Sequence, residues 1–169
     1  MRTTDKRMRR ALGGLTALVL LITALVGCSG RDSGGAAAAT QSAATAADSI
    51  LQAVTFRDAL VEADSATVEN FYAIDDTIGE YKVYYSGNGS TAEEIAVLKV
   101  SDKKNAADAK AILEKRVADQ KERYEQYIPG EMVKLKNPVL YTKDDLVILV
   151  LADDKQQAED AAKAAADGK

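Results

Sequence analysis

Apolar and polar positions divide the chain into three stretches. A polar, basic start is followed by an apolar block from Ala11 to Val26, and Ser29 to Asp48 then carry no large apolar side chain. Large apolar residues return at Ile50, Leu51, Val54, Phe56, Leu60 and Val61. Ile50, Leu51 and Val54 are at helical spacing, and a second short helix is expected after Asp64 or Ser65 as cap, with Val68, Phe71 and Tyr72 on one face. Asp75, Asp76 and Gly79 end it. Glu80 to Tyr85 alternates at period two, which predicts a strand with Tyr81, Val83 and Tyr85 on one face and Lys82 and Tyr84 on the other. Ser86-Gly87-Asn88-Gly89-Ser90 has turn chemistry.

Ile95 to Val100 reads as a second, more apolar strand, and Asn105 with Asp108 marks the start of a long helix that Pro129-Gly130 stops. On a 100° wheel Ala106, Ala109, Leu113, Val117, Tyr124, Tyr127 and Ile128 share one arc, so this helix should lie on a sheet. Pro138 to Tyr141 and Leu146 to Leu151 form a hairpin around residues 142–145. Asp154 with Gln157 resembles a capping box, opening a last helix with Ala158, Ala161, Ala162 and Ala165 inward.

These elements predict an α+β domain: short N-terminal helices, then strand, strand, helix, strand, strand, helix. Four antiparallel strands with both helices on one face satisfy that order. The near-continuous apolar runs at 95–100 and 146–151 belong in the centre, the alternating strands at 81–85 and 139–142 at the edges. The arrangement matches a circularly permuted ferredoxin-like sandwich, whose two central strands run parallel.

The N-terminus carries an address. Residues 1–27 hold five cations (Arg2, Lys6, Arg7, Arg9, Arg10) against the single acid Asp5. The sixteen residues from Ala11 to Val26, at about 1.5 Å each, fall short of a hydrocarbon core of roughly 30 Å, so a secretory signal is favoured over a permanent span. Leu25-Val26-Gly27-Cys28 looks like a bacterial lipobox, which makes Cys28 the site of lipidation and a membrane anchor on the outer face of the cell membrane. The expected organisation is a signal peptide at 1–27, a lipidated Cys28 with a flexible Ala/Gly/Ser/Thr tether to residue 48, and a single domain at 49–169.

Composition removes several chemistries. There is no His, no Trp and one Cys among 169 residues. A Ser-His-Asp triad, a Cys-His dyad, a His or multi-Cys metal cage and an intrachain disulfide are thereby excluded, and no cofactor is implied. The net charge of −4, more negative still without the basic leader, argues against nucleic acid as a partner.

Phe71-Tyr72-Ala73-Ile74-Asp75, Glu93-Glu94-Ile95-Ala96, Lys115-Arg116, Gln120-Lys121 and Tyr127-Ile128-Pro129 together resemble a family of uncharacterised bacterial lipoproteins, domain of unknown function 4358, over roughly residues 50–165. The resemblance implies a cell-envelope location and a small domain, and brings no catalytic residues.

Three groups of residues are candidates for chemistry. Arg116, Gln120 and Arg123 fall at i, i+4 and i+7 on or beside the apolar arc of the long helix, where guanidinium groups could bind a carboxylate or phosphate. The plainer reading is that their stems lie along apolar surface with heads in water. Tyr81, Tyr84, Tyr85 and Tyr141, on the expected edge strands, could form an aromatic surface for glycan or peptide, or be ordinary strand composition. The pairs Asp75-Asp76, Glu93-Glu94, Asp144-Asp145 and Asp153-Asp154 could serve hydrolysis or calcium, but adjacent acids in turns usually cap and solubilise. Arg116, Gln120, Arg123 and Tyr85 are the ligand-site candidates. The expected function is a non-enzymatic binding or accessory module of the cell envelope, membrane-bound through its lipid, with an envelope protein complex or a glycan as partner. The alternative is a small envelope hydrolase or transferase using carboxylates or a Ser-Lys pair.

Overall fold

Two strands buried on both faces organise the molecule. The computed structural model describes residues 41–169, so the expected signal peptide at 1–27, Cys28 and the expected tether as far as residue 40 lie outside the described residues. Strand β3 (Glu94–Val100) and strand β5 (Leu146–Leu151) pair antiparallel, Ile95 opposite Val150 and Val97 opposite Ile148. Ile95, Val97, Ile148 and Val150 point to one core, and Ala96, Leu98, Val147 and Leu149 point to a second core on the other side. Period-two alternation vanishes in these strands because both of their faces are covered.

Strand β2 (Ile78–Ser86) flanks β3, and strand β4 (Val139–Lys143) flanks β5. A short strand β1 (Leu60–Glu62) adds to β2, with Val61 opposite Tyr85, so the sheet has five strands in the order β1-β2-β3-β5-β4, every pair antiparallel. Three expectations are corrected here. The sheet has five strands, not four: β1 is only three residues long, too short for a periodic signal. The central pair runs antiparallel, not parallel as in a permuted ferredoxin-like sandwich. Nor are the helices gathered on one face, since the double-sided burial of β3 and β5 demands a layer on each side.

One layer pairs the first described helix, α1 (Ala43–Ala53), with the last, α5 (Lys155–Ala166). The Ser42 hydroxyl caps α1 by accepting the Thr45 N–H at 3.0 Å. Ala43, Ala46, Ala47 and Ile50 form its buried stripe, and Ala158, Ala161, Ala162 and Ala165 form that of α5. The expected tether therefore ends before residue 43, not at residue 48. Its last alanines look too small to build a core, but alanine is the strongest helix former, and small side chains let two helices pack close. Asp154 caps α5 as expected, accepting the Gln157 N–H at 3.0 Å, while Gln157 Oε1 accepts from the Thr55 N–H beyond α1.

The opposite layer holds α2 (Ser65–Phe71), capped by Asp64, the long α3 (Ala106–Tyr127) and the short α4 (Met132–Lys136). Ala109, Leu113, Val117, Gln120 and Tyr124 are its buried positions on α3. Tyr127, placed on that arc by periodicity, is 82% exposed, because the chain leaves the sheet as it turns into Pro129. Strands β4 and β5 join through Asp144-Asp145, and Asp144 takes the left-handed φ of 55° that a two-residue hairpin loop requires. No helix among the described residues is long and apolar enough to cross a membrane.

Candidate functional site

Glu94 opens β3 on the face that looks toward α3, and its side chain is 1% exposed. A carboxylate taken that far from water needs several donors to remain ionised. Arg116 and Gln120, one helical turn apart on α3, supply them. Arg116 Nε lies 3.0 and 3.2 Å from Glu94 Oε1 and Oε2, its Nη2 lies 2.6 Å from Oε2, and Gln120 Nε2 donates to Oε2 at 2.8 Å. The Tyr72 hydroxyl, just past the end of α2, donates to Oε1. Phe71 lies under the guanidinium of Arg116, 3.7 Å from ring centroid to Cζ, and Tyr85 meets Phe71 edge-on at 5.3 Å.

The electrostatics fit a locked pair. Burial, reinforced by the Glu94 charge, pushes the Tyr72 phenol well above its ordinary value. Burial alone would pull Arg116 down, but its hydrogen bond and charge interaction with Glu94 outweigh that and raise it. The snorkelling reading of Arg116 is thus corrected: its head turns inward to a buried acid, with only 11% of the side chain exposed.

Above this network opens a cavity of about 500 Å³ between α3, the end of α2 and the turn at residues 86–89. Tyr85, Arg116, Gln120 and Arg123 all line it, so the structure brings the four candidate residues to one place. Arg116 and Gln120 form its inner side. Arg123 is exposed and has neither a hydrogen bond nor an ion pair among the described residues. Its Nη2 would stand 3.6 Å from a Cβ on Gly89, whose φ of 68° already favours glycine. The turn is held by Asn88, whose Oδ1 accepts the Ser90 N–H at 2.8 Å, and by Asp58, which accepts the Ser86 hydroxyl at 2.6 Å.

The remaining tyrosines do not join it. The Tyr84 hydroxyl donates to Asp48 on α1 at 2.6 Å, and Tyr141 packs into the α1/α5 core, so both belong to the opposite face. Tyr81 is exposed away from the cavity.

Glu93, next to Glu94, serves a second buried network. Its carboxylate accepts from the Arg57 N–H at 2.9 and 3.0 Å and from the Asp58 N–H at 3.0 Å, pinning the segment between α1 and β1. Lys134 on α4, with a side chain 1% exposed, reaches Glu131 at 2.7 Å, Asp153 at 3.0 Å and Glu93 at 3.8 Å. Arg57 closes the cluster on Glu131 at 3.1 Å and Asp153 at 2.9 Å. Burial pushes Asp153 up, but the hydrogen bonds and charges of Lys134 and Arg57 prevail and hold it below the usual carboxylate range. Sequence reasoning missed this cluster: Glu93-Glu94 is the one acid pair whose two members are both buried, and Lys134, between Val133 and Leu135, has no periodic signature. Among the described residues no group of acids and cysteines converges as a metal cage.

The described residues form an α+β sheet domain with helical layers on both faces and a cavity set over a buried ion pair. The family model for a domain of unknown function, DUF4358, matches residues 52–152, and the chain belongs to that family. The matched range takes in all five strands, α2 to α4 and every cavity residue named above. No curated protein and no solved structure matches the chain.

Proposed function

We propose that the chain is a lipoprotein, anchored through Cys28 to the outer face of the cell membrane, and that its folded domain is a non-enzymatic binding or accessory module of the envelope. The basic leader, the short apolar block and Leu25-Val26-Gly27-Cys28 support the address. The observation that carries the module reading is the cavity. Its inner side is a carboxylate saturated by internal donors and held rigid by Arg116, Gln120 and Tyr72, while Arg123 and the turn at residues 86–89 remain at the rim. A rigid, polar, preformed recess suits holding a ligand or a partner's side chain, since little ordering entropy remains to be lost on binding.

The test places a photo-crosslinking residue at Asn70, on the cavity rim, in the full-length chain in cells. The expected result is reproducible capture of one envelope neighbour, lost when Cys28→Ala removes the anchor. Turnover of wall or glycan material by the purified chain would overturn the reading in favour of an enzyme.

A further inference from the structure

Strand β4 closes the sheet at the end away from β1, and among the described residues no strand pairs with its outer edge. The register fixes which of its backbone groups are spare. The Val100 N–H donates to the Asp145 carbonyl at 2.8 Å, so Asp145 and Val147 turn their backbone groups toward β3, and Leu146, Ile148 and Val150 turn theirs toward β4. The partners of those three are Lys143, Tyr141 and Val139. Leu140 and Thr142, which alternate with them, therefore point N–H and C=O outward, two donors and two acceptors in a row along the edge. Pro138 stands at the start of that row and has no N–H to add. At the other end the turn at Asp144 stops it.

A groove of about 410 Å³ follows this edge, lined by residues 138–141 on one side and by Lys155, Glu159 and Lys163 of α5 on the other. The three α5 residues recur every four positions, beside the alanine stripe that faces α1, and form a row about 12 Å long. That matches about four residues of extended chain. Lys155 reaches Glu159 at 3.6 Å, whereas Lys163 is exposed and has no ion pair among the described residues. Lys136, just ahead of the strand, is also exposed without an ion pair among them, and residues 136–143 hold two lysines and no acid. On a chain whose net charge is −4, this edge is cationic. We infer that β4 accepts a further strand from a partner protein, an extended segment that alternates acidic with apolar residues. Backbone pairing with Leu140 and Thr142 supplies affinity. Side chains of the added strand on the α5 side, the face shared by Val139 and Tyr141, meet Lys155 and Lys163 and are the acidic set. Those on the other side continue the apolar face of Leu140. A second copy of this chain is the poorer occupant, since joining β4 to β4 brings two cationic rows together. The groove shares no lining residue with the cavity over Glu94, so its partner is additional to whatever the cavity holds.

Fluorescence anisotropy with the full-length protein in nonionic detergent micelles tests the pairing, using two labelled eight-residue peptides, one alternating aspartate with valine and one alternating lysine with valine. The aspartate peptide should bind saturably and the lysine peptide at least about tenfold more weakly. Amide hydrogen exchange at Leu140 and Thr142 should slow by at least about tenfold when the aspartate peptide is bound. Thr142→Pro deletes one outward N–H and should abolish binding. Lys163→Glu should weaken the aspartate peptide by about tenfold with an unaltered melting curve, because Lys163 is exposed, and it decides the matter even if Thr142→Pro fails to fold. Equal binding of the two peptides, binding without protection at Leu140 and Thr142, insensitivity to Lys163→Glu, insensitivity to a folded Thr142→Pro, or no binding each overturns the inference. A concentration-dependent dimer that Thr142→Pro dissolves overturns it as well, by giving the edge to a second copy. Crosslinking from Asn70 reports on the cavity alone, so either surface can fail while the other stands.

Discussion

On one face of the sheet α1 and α5 bring Ala43, Ala46 and Ala47 together with Ala158, Ala161 and Ala162 over Ile95, Val97, Ile148 and Val150. On the other, α3 sets Leu113 and Val117 over Leu98 and Leu149 but places Arg116 and Gln120 within reach of a buried acid. The first face is closed by small apolar groups that fit and have no directional demands. The second is closed partly by charges, each of which must find its partner. The lesson lies in the cavity: close-packed alanine leaves no room for a ligand, whereas a rigid ionic floor both supports a recess and dictates which polar atoms face it.

Breaking the ionic side should have the largest effect. Lys134→Met keeps the aliphatic stem but leaves Glu93 buried without a cation and Glu131 with Arg57 alone, and should destabilise by about 3–5 kcal/mol in a urea melt. Arg116→Leu should fall in the same range by stranding Glu94, and restoring an uncharged partner with Glu94→Leu in the same chain should recover part of the loss. The ionic face also carries the response to extreme pH. Tyr72 is held neutral above its ordinary range, so the unfolded chain releases that proton first, and stability falls as pH rises past the ordinary tyrosine value of 10.0 toward the folded value. Asp153 is held ionised below its ordinary range, so its contribution is present above the ordinary aspartate value of 3.8 and is lost as pH falls through the folded value. Melting temperatures across both limits check the two signs.

The alanine face should respond to volume and not to charge. Ala162→Leu forces extra methylenes between two close helices and should cost about 1–3 kcal/mol, whereas the same change at the exposed Ala118 of α3 should be near neutral. Removing the α5 cap with Asp154→Ala should cost about 1 kcal/mol. The smallest effect is expected at the cavity rim, where Arg123→Gln should alter stability by less than about 0.5 kcal/mol in thermal melts.

Local chemistry was legible throughout. Asp64 and Asp154 were readable as caps, residues 86–90 as a turn, and α3 by its apolar period, because each depends on neighbours within a few residues. The central position of β3 and β5 was readable from their unbroken apolar runs. That same pattern already required cover on both faces, an implication that assigning both helices to one side overlooked. The direction of the β3–β5 pairing was not legible, since side-chain alternation is the same for parallel and antiparallel neighbours. Arg116, Gln120 and Arg123 could be placed on one helix stripe, but that Arg116 turns inward depends on Glu94, 22 residues away and indistinguishable in sequence from a solvated acid. Lys134 was beyond reach for the same reason, its partners coming from three separate segments.

The partnership of α1 with α5 governs when the chain can finish folding. The first described helix buries its alanine stripe against the last, so every residue between them must be made before either face is covered. Until α5 emerges, Ile95, Val97, Ile148 and Val150 lack half of their covering layer even if the sheet has already formed. A chain cut short by a dozen residues keeps all five strands and the whole cavity and yet exposes the underside of the sheet. Protection of that side of the sheet from proteolysis thereby waits on α5.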